Sequence, residues 1–204
     1  MTTPDEPKGA CGFFELTDNP LPHKDHEDFF KWVGICIKEW AYIEKVIFDL
    51  CSYVLKADRK HVAIIYYRTP TLEGRLALTN DLLQSIFPKK AGEHDNPKLV
   101  IWTKIFKEIR NLAPARNVLA HSPIRYKVSI KAQIDKTGQP AKVINQESWI
   151  EIATSENERL KTGEDKSYRV DDLPKYHAAV RALWDRLLNF HNDLRVRLRI
   201  HFNG

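Results

Sequence analysis

Asp25-His-Glu-Asp-Phe-Phe-Lys-Trp-Val-Gly-Ile-Cys-Ile-Lys-Glu-Trp-Ala-Tyr-Ile-Glu-Lys-Val-Ile-Phe-Asp-Leu-Cys-Ser-Tyr-Val54 is the stretch that decides the fold. Within it Phe29, Val33, Cys36, Trp40, Ile43, Ile47, Leu50 and Val54 step alternately by four and three, the spacing that lines one side of an α-helix. Lys31, Lys38, Lys45 and Asp49 fall on other sides. At ~3.6 residues per turn the stretch makes a helix of about eight turns. A single apolar stripe that long needs other helices to cover it.

Further helices are legible downstream. A short one is predicted over about Arg59–Tyr67, stopped by Arg68-Thr69-Pro70, and another over Leu72–Phe87, with Leu76, Leu83 and Ile86 inward. Pro88 and the polar run Lys89–Pro97 read as a loop. A long pattern resumes at Lys98 with Trp102, Ile105, Ile109, Leu112 and Leu119 inward. Pro114 removes one backbone donor and predicts a kink, and Pro123 forces the chain out of helix after His121. The last helix is predicted from Asp171 or Asp172, with Leu173, Tyr176, Val180, Leu183, Leu187, Phe190, Leu194 and Leu198 as its stripe.

Between the last two long helices the period changes to two. Ile124, Tyr126, Val128, Ile130, Ala132 and Ile134 alternate with polar residues, and Ile144, Ser148, Ile150 and Ile152 share one face of a second run. An antiparallel β-hairpin is predicted, followed by a loop over Thr154–Lys166. The fold class is thus mainly α, an antiparallel helical bundle with a hairpin inserted at about 124–153. Residues 1–24, with Pro4, Pro7, Pro20 and Pro22, read as an extended arm, and 25–204 as one helical-bundle domain.

Hydrophobic residues at 43% and charged residues at 29% are those of an ordinary globular chain. No apolar run reaches the ~20 residues of a membrane-spanning helix, and Met1-Thr-Thr-Pro-Asp-Glu does not open like a secretory signal. Cys36 and Cys51 lie in the apolar stripe and Cys11 outside it, so buried thiols and a reducing cytoplasm are the expectation. The net charge of +5 is uneven: residues 1–30 hold two Lys against seven Asp and Glu, a net −5, leaving about +10 on the remainder. That balance suits a phosphate-bearing partner such as RNA, and suits an ordinary solvated helix face equally. His23 and His26 lack further metal ligands, and no Gly-rich phosphate loop or zinc spacing occurs, so neither metal nor cofactor is expected.

The chemistry concentrates in Arg116-Asn117-Val-Leu-Ala-His121. At ~100° per residue, Asn117 and His121 lie about 40° apart on the helix, with Arg110 on the same face. Arg116 lies about 140° from His121, so its guanidinium reaches the imidazole only through a long side chain or a local kink. Histidine at a helix C-terminus is favoured by the macrodipole, and it exchanges a proton near neutral pH. The planar guanidinium suits a phosphate, and Asn117 can orient either group. Arg125, Lys127 and Lys131 of the hairpin offer further contacts to a phosphate backbone. Arg116, Asn117 and His121 also make an ordinary polar helix face, and the hairpin residues an ordinary solvated strand face.

The segment resembles the Arg-Asn-x-x-x-His form of the signature of the HEPN superfamily. Trp40 to Glu44 (Trp-x-x-Ile-Glu), Arg75 to Thr79 (Arg-Leu-x-Leu-Thr) and Trp102 are similar to the order found in bacterial HEPN-like proteins, so the resemblance spans roughly 28–122. The hairpin has no counterpart in the minimal HEPN bundle. The resemblance implies a homodimer in which two such segments face one another, and a metal-independent endoribonuclease of a toxin or defence system. It implies Arg116 and His121 as catalytic residues, Asn117 as support and an acid on the first helix, Glu44 or Glu39; Arg110 on the polar helix face and Arg125 and Lys127 of the basic hairpin are candidate RNA contacts from their own placement. A cognate antitoxin or a nucleotidyltransferase is the implied partner. Other members are non-catalytic interaction or nucleotide-binding modules, and that alternative stays open.

Overall fold

The computed structural model describes residues 23–87, 96–134, 140–154 and 166–200, the side chains of 23–24, 128–146 and 197–200 excepted. The described residues form helices α1 (His23–Leu55), α2 (Arg59–Arg68), α3 (Leu72–Ile86) and α4 (Pro97–His121), strands β1 (Ile124–Ile134), β2 (Pro140–Ala153) and β3 (Ser167–Arg169), and helix α5 (Leu173–Ile200). The mainly helical class and the hairpin agree with the sequence. The arm at 1–22 and the loops at 88–95 and 155–165 lie outside the described residues. The chain divides into two compact units, one of α1 up to Lys31 with Ser122–Asp172, the other of Trp32–His121 with the chain from Leu173 onward.

In the helical unit the predicted stripe of α1 is the core. Cys36, Trp40, Ile43, Ile47, Leu50 and Cys51 are each at most 1% exposed. They bury with Leu76 and Leu83 of α3, Trp102, Ile105 and Ile109 of α4, and Val180, Leu183 and Leu187 of α5. Trp102 joins three helices: its ring stacks on Phe190 at 5.7 Å between centroids, and its indole N–H donates to Asn80 Oδ1 at 3.2 Å. Such a ring pair adds ~0.5–1.5 kcal/mol beyond area burial. Ion pairs Arg186–Glu108 and Lys98–Asp193 tie α5 to α4.

The helix boundaries have local causes. Lys56 takes a left-handed conformation, φ 51°, directly after α1. Asp58 caps α2 by accepting from Lys60 N at 2.7 Å, and Thr71 caps α3 by accepting from Gly74 N at 3.1 Å. Asn96 accepts from Lys98 N at 2.9 Å, with Pro97 at the first helical position, where a missing N–H is harmless. Helix α4 continues through Pro114 and ends at His121, as Pro123 predicts.

The other unit holds an antiparallel sheet of order β1-β2-β3. Ile124 lies opposite Ile152 and Tyr126 opposite Ile150, the register that puts the isoleucines on one face. Strand β3 is not foreseen from the sequence: Ile152 pairs with Tyr168 and Glu151 with Arg169. Thr154 prepares it by donating from its N–H and hydroxyl to Lys166 O, at 2.9 and 3.0 Å. The expected alternation also fails there, because Ile150, Glu151, Ile152 and Ala153 are all buried.

Candidate functional site

Three helices deliver one polar cluster inside the helical unit. Glu44 lies on α1 next to Ile43, which is fully buried, so the carboxylate leaves the α1 stripe at its edge. Arg75 comes from the first turns of α3, and Arg116, Asn117 and His121 from the last turns of α4. Glu44 Oε1 accepts from Arg116 Nη2 at 3.1 Å, and Glu44 Oε2 accepts from Arg75 Nη1 at 3.3 Å. One carboxylate therefore bridges two guanidiniums. All three side chains are mostly enclosed, 21% exposed for Glu44, 17% for Arg75 and 28% for Arg116.

The other end of the Arg116 fork faces solvent. Nη1 donates to Asn117 Oδ1 at 3.2 Å and stands 3.5 Å from His121 Nε2, with Asn117 and His121 both exposed. The long side chain of Arg116 thus bridges the ~140° between positions five apart on a helix. A solvent-facing imidazole at a helix end beside a guanidinium is an arrangement suited to proton exchange with a bound phosphodiester.

Arg75 is held on every side. Its Nε donates to Thr69 O at 2.9 Å, and its Cζ lies 5.5 Å from the ring centroid of Tyr66 and 5.4 Å from that of Tyr67. Tyr66 donates from its hydroxyl to Glu44 O at 3.4 Å. Burial, ahead of negative charge at Cys51 and Glu44, pushes the Tyr66 phenol well up, so it stays a neutral donor. The turn before α3 is tight: a Cβ at Gly74 would lie 2.7 Å from Thr69 Cγ2 and 3.2 Å from Thr71 Oγ1. Glycine is required here by close approach.

The remaining sequence candidates are placed elsewhere. Of the two candidate acids on α1, Glu44 reaches Arg116, whereas Glu39 accepts from Arg181 Nη1 of α5 through both oxygens at 3.3 Å. Arg110 does not extend the polar strip of Asn117; its Nε pairs with Glu73 Oε1 at 3.0 Å and its Cζ lies over Phe106. Lys127 is engaged by Glu151, Nζ to Oε1 at 2.7 Å, so it is less available on the hairpin than the sequence suggests. Burial works to raise the Glu151 carboxyl, but Lys127, Trp149 and Arg169 hold it below the usual range. Arg125 lies opposite Glu151 in the register. Arg125 and Lys127 belong to the sheet unit, and the Arg116 cluster to the helical unit. His26 shares a 2.8 Å hydrogen bond with the Tyr126 hydroxyl, and the side chain of His23 is outside the described residues. Among the described residues no group of three or more His, Cys, Asp or Glu is placed to hold a metal. Among them also, no helix is long and apolar enough to cross a membrane.

Arg75 is the cluster member that the sequence reading does not single out as functional. Its signal was present in Arg-Leu-x-Leu-Thr, but nothing in the spacing of α3 tells which carboxylate it meets. No protein-family model, curated protein or solved structure matches the chain.

Proposed function

We propose that the chain is a HEPN-type endoribonuclease that works without a metal ion and acts as a homodimer. The observation that carries this reading is the meeting of Arg116 and His121 at an exposed helix end, with the guanidinium braced from behind by Glu44. His121 accepts the proton of a ribose 2′-hydroxyl, and the 2′-oxygen forms a bond to the adjacent phosphorus. The bond from phosphorus to the 5′-oxygen breaks, and that oxygen leaves with the electron pair and takes up a proton. The products are a 2′,3′-cyclic phosphate and a 5′-hydroxyl. Arg116 donates to the phosphoryl oxygens as their negative charge grows, and Asn117 keeps the fork turned outward.

The test is incubation of purified protein with RNA in excess EDTA, beside His121→Ala and Arg116→Ala purified in parallel. Each variant is expected to lose at least ~100-fold in cleavage rate, the scale of a general base or of one oxyanion donor. Wild-type products are expected to end in cyclic phosphate. Equal cleavage by wild type and His121→Ala sinks the reading.

A second reading, a non-catalytic interaction module, is favoured by a different observation. Ile64, Ile65 and Tyr67 of α2 are 54%, 53% and 57% exposed, a run of apolar side chains suited to a protein partner such as an antitoxin or a nucleotidyltransferase. Under it, RNA is never cut and substitutions on α2 weaken complex formation.

A further inference from the structure

We infer that Arg75 is a positioning residue for Arg116, acting through Glu44. The inference rests on the reading of Arg116 and His121 as the phosphate-cleaving pair.

A carboxylate with both oxygens free can take an arginine in a two-pronged pair that occupies two of the arginine's donor nitrogens. Here Arg75 Nη1 occupies Glu44 Oε2, and Arg116 is engaged through Nη2 on Oε1. The outer Nη1 of Arg116 is thereby left turned toward Asn117 and His121.

The confinement of Arg75 argues against a direct part in binding RNA. Thr69 O takes its Nε, Tyr66 and Tyr67 rings flank its Cζ, and its side chain is 17% exposed. That confinement traces to the turn. Gly74 admits Thr69 so closely that a methyl group would collide with it, and Thr69 is the residue whose carbonyl holds Arg75.

The experiment compares wild type, Arg75→Ala, Arg75→Lys, Glu44→Gln and the Arg75→Ala/Glu44→Gln pair. Three quantities are read: kcat and KM on a short RNA, the Kd of the same oligonucleotide carrying 2′-O-methyl groups, and the 15N–1H guanidinium signals of Arg116, assigned by their loss in Arg116→Lys. Arg75→Ala is expected to lower kcat about 10–100-fold, the scale of a small misplacement of a catalytic group, with Kd changed under ~3-fold. Arg75→Lys, which keeps the charge and folds if Arg75→Ala does not, is expected to recover part of kcat. In the Glu44→Gln background, loss of Arg75 is expected to add under ~2-fold, because its route to Arg116 is already cut. The Arg116 signals are expected to shift and broaden in Arg75→Ala. A rise in KM and Kd with kcat unchanged, or full additivity in the pair, overturns the proposal. If wild type cuts no RNA, the nuclease reading fails, and the Arg116 signals alone decide Arg75: signals unchanged in both Arg75 variants overturn its positioning role.

Discussion

The contact on which the functional reading depends is that between Glu44 and Arg116, and a double-mutant cycle measures it. Glu44→Ala, Arg116→Ala and the double variant are unfolded in urea at one protein concentration, so that any self-association contributes equally. An exposed pair is worth ~0.2–1 kcal/mol, whereas stripping one partner from a fully buried pair costs ~3–5 kcal/mol. With Glu44 at 21% and Arg116 at 28% exposure and a single contact of 3.1 Å, the pair lies between those limits. We expect a coupling of about 1–1.5 kcal/mol after allowing for solvent screening. Glu44→Ala alone is expected to cost more, about 2–3 kcal/mol, because it strands Arg75 as well. At ~2–4 °C per kcal/mol for a chain this long, that lowers Tm by about 5–10 °C. Glu39 and Arg181 supply an internal comparison: Arg181 is 47% exposed, so their coupling should stay below about 1 kcal/mol. Additivity of Glu44→Ala and Arg116→Ala within ~0.3 kcal/mol would mean that the two side chains do not meet in solution, and the braced site would not exist.

Three further outcomes follow from the same geometry. Gly74→Ala sets a methyl group 2.7 Å from Thr69 Cγ2 and is expected to lower Tm and activity together, while adding Thr69→Ser, which removes that carbon, restores both; no loss in Gly74→Ala refutes the tight turn. Burial holds the His191 imidazole below its ordinary 6.5, with Nδ1 enclosed and without a partner, so the folded chain binds this proton less readily than the unfolded chain. That stability is complete above about pH 6.5 and is lost as pH falls below it, so His191→Gln should flatten the fall in urea midpoint between about pH 7.5 and 5. Burial first, and the charge of Glu39 second, push the Cys36 thiol up to about 11. At pH 8 an alkylating reagent followed by peptide mass mapping should leave Cys36 unmodified until the chain is unfolded.

What was legible in the sequence is what periodicity encodes. The stripe from Phe29 to Val54 marks the buried side of α1, and Pro123 marks the end of α4, because both depend only on neighbours along the chain. Strand β3 was not legible: Ser-Tyr-Arg at 167–169 is too short for an alternating pattern, and it is a strand because Thr154 and Lys166 bring it beside β2. The burial of Glu151 has a related cause: its carboxylate meets Lys127 and Trp149, partners that local spacing does not reveal.

The same distinction explains why the site was half visible. Arg116, Asn117 and His121 belong to one helical end, so their mutual distances follow from helix geometry and the length of an arginine. The choice between Glu39 and Glu44 does not follow in that way. Five residues apart, the two carboxylates leave α1 about 140° from each other and cannot serve the same neighbour. Which of them meets Arg116 depends on whether α4 or α5 lies against that side of α1, a tertiary fact with no trace in local spacing. In the fold Glu39 meets Arg181 of α5, and Glu44 meets α3 and α4 together. A substitution that exchanged the two, Glu44→Gln with a new acid elsewhere on α1, would therefore not rebuild the brace.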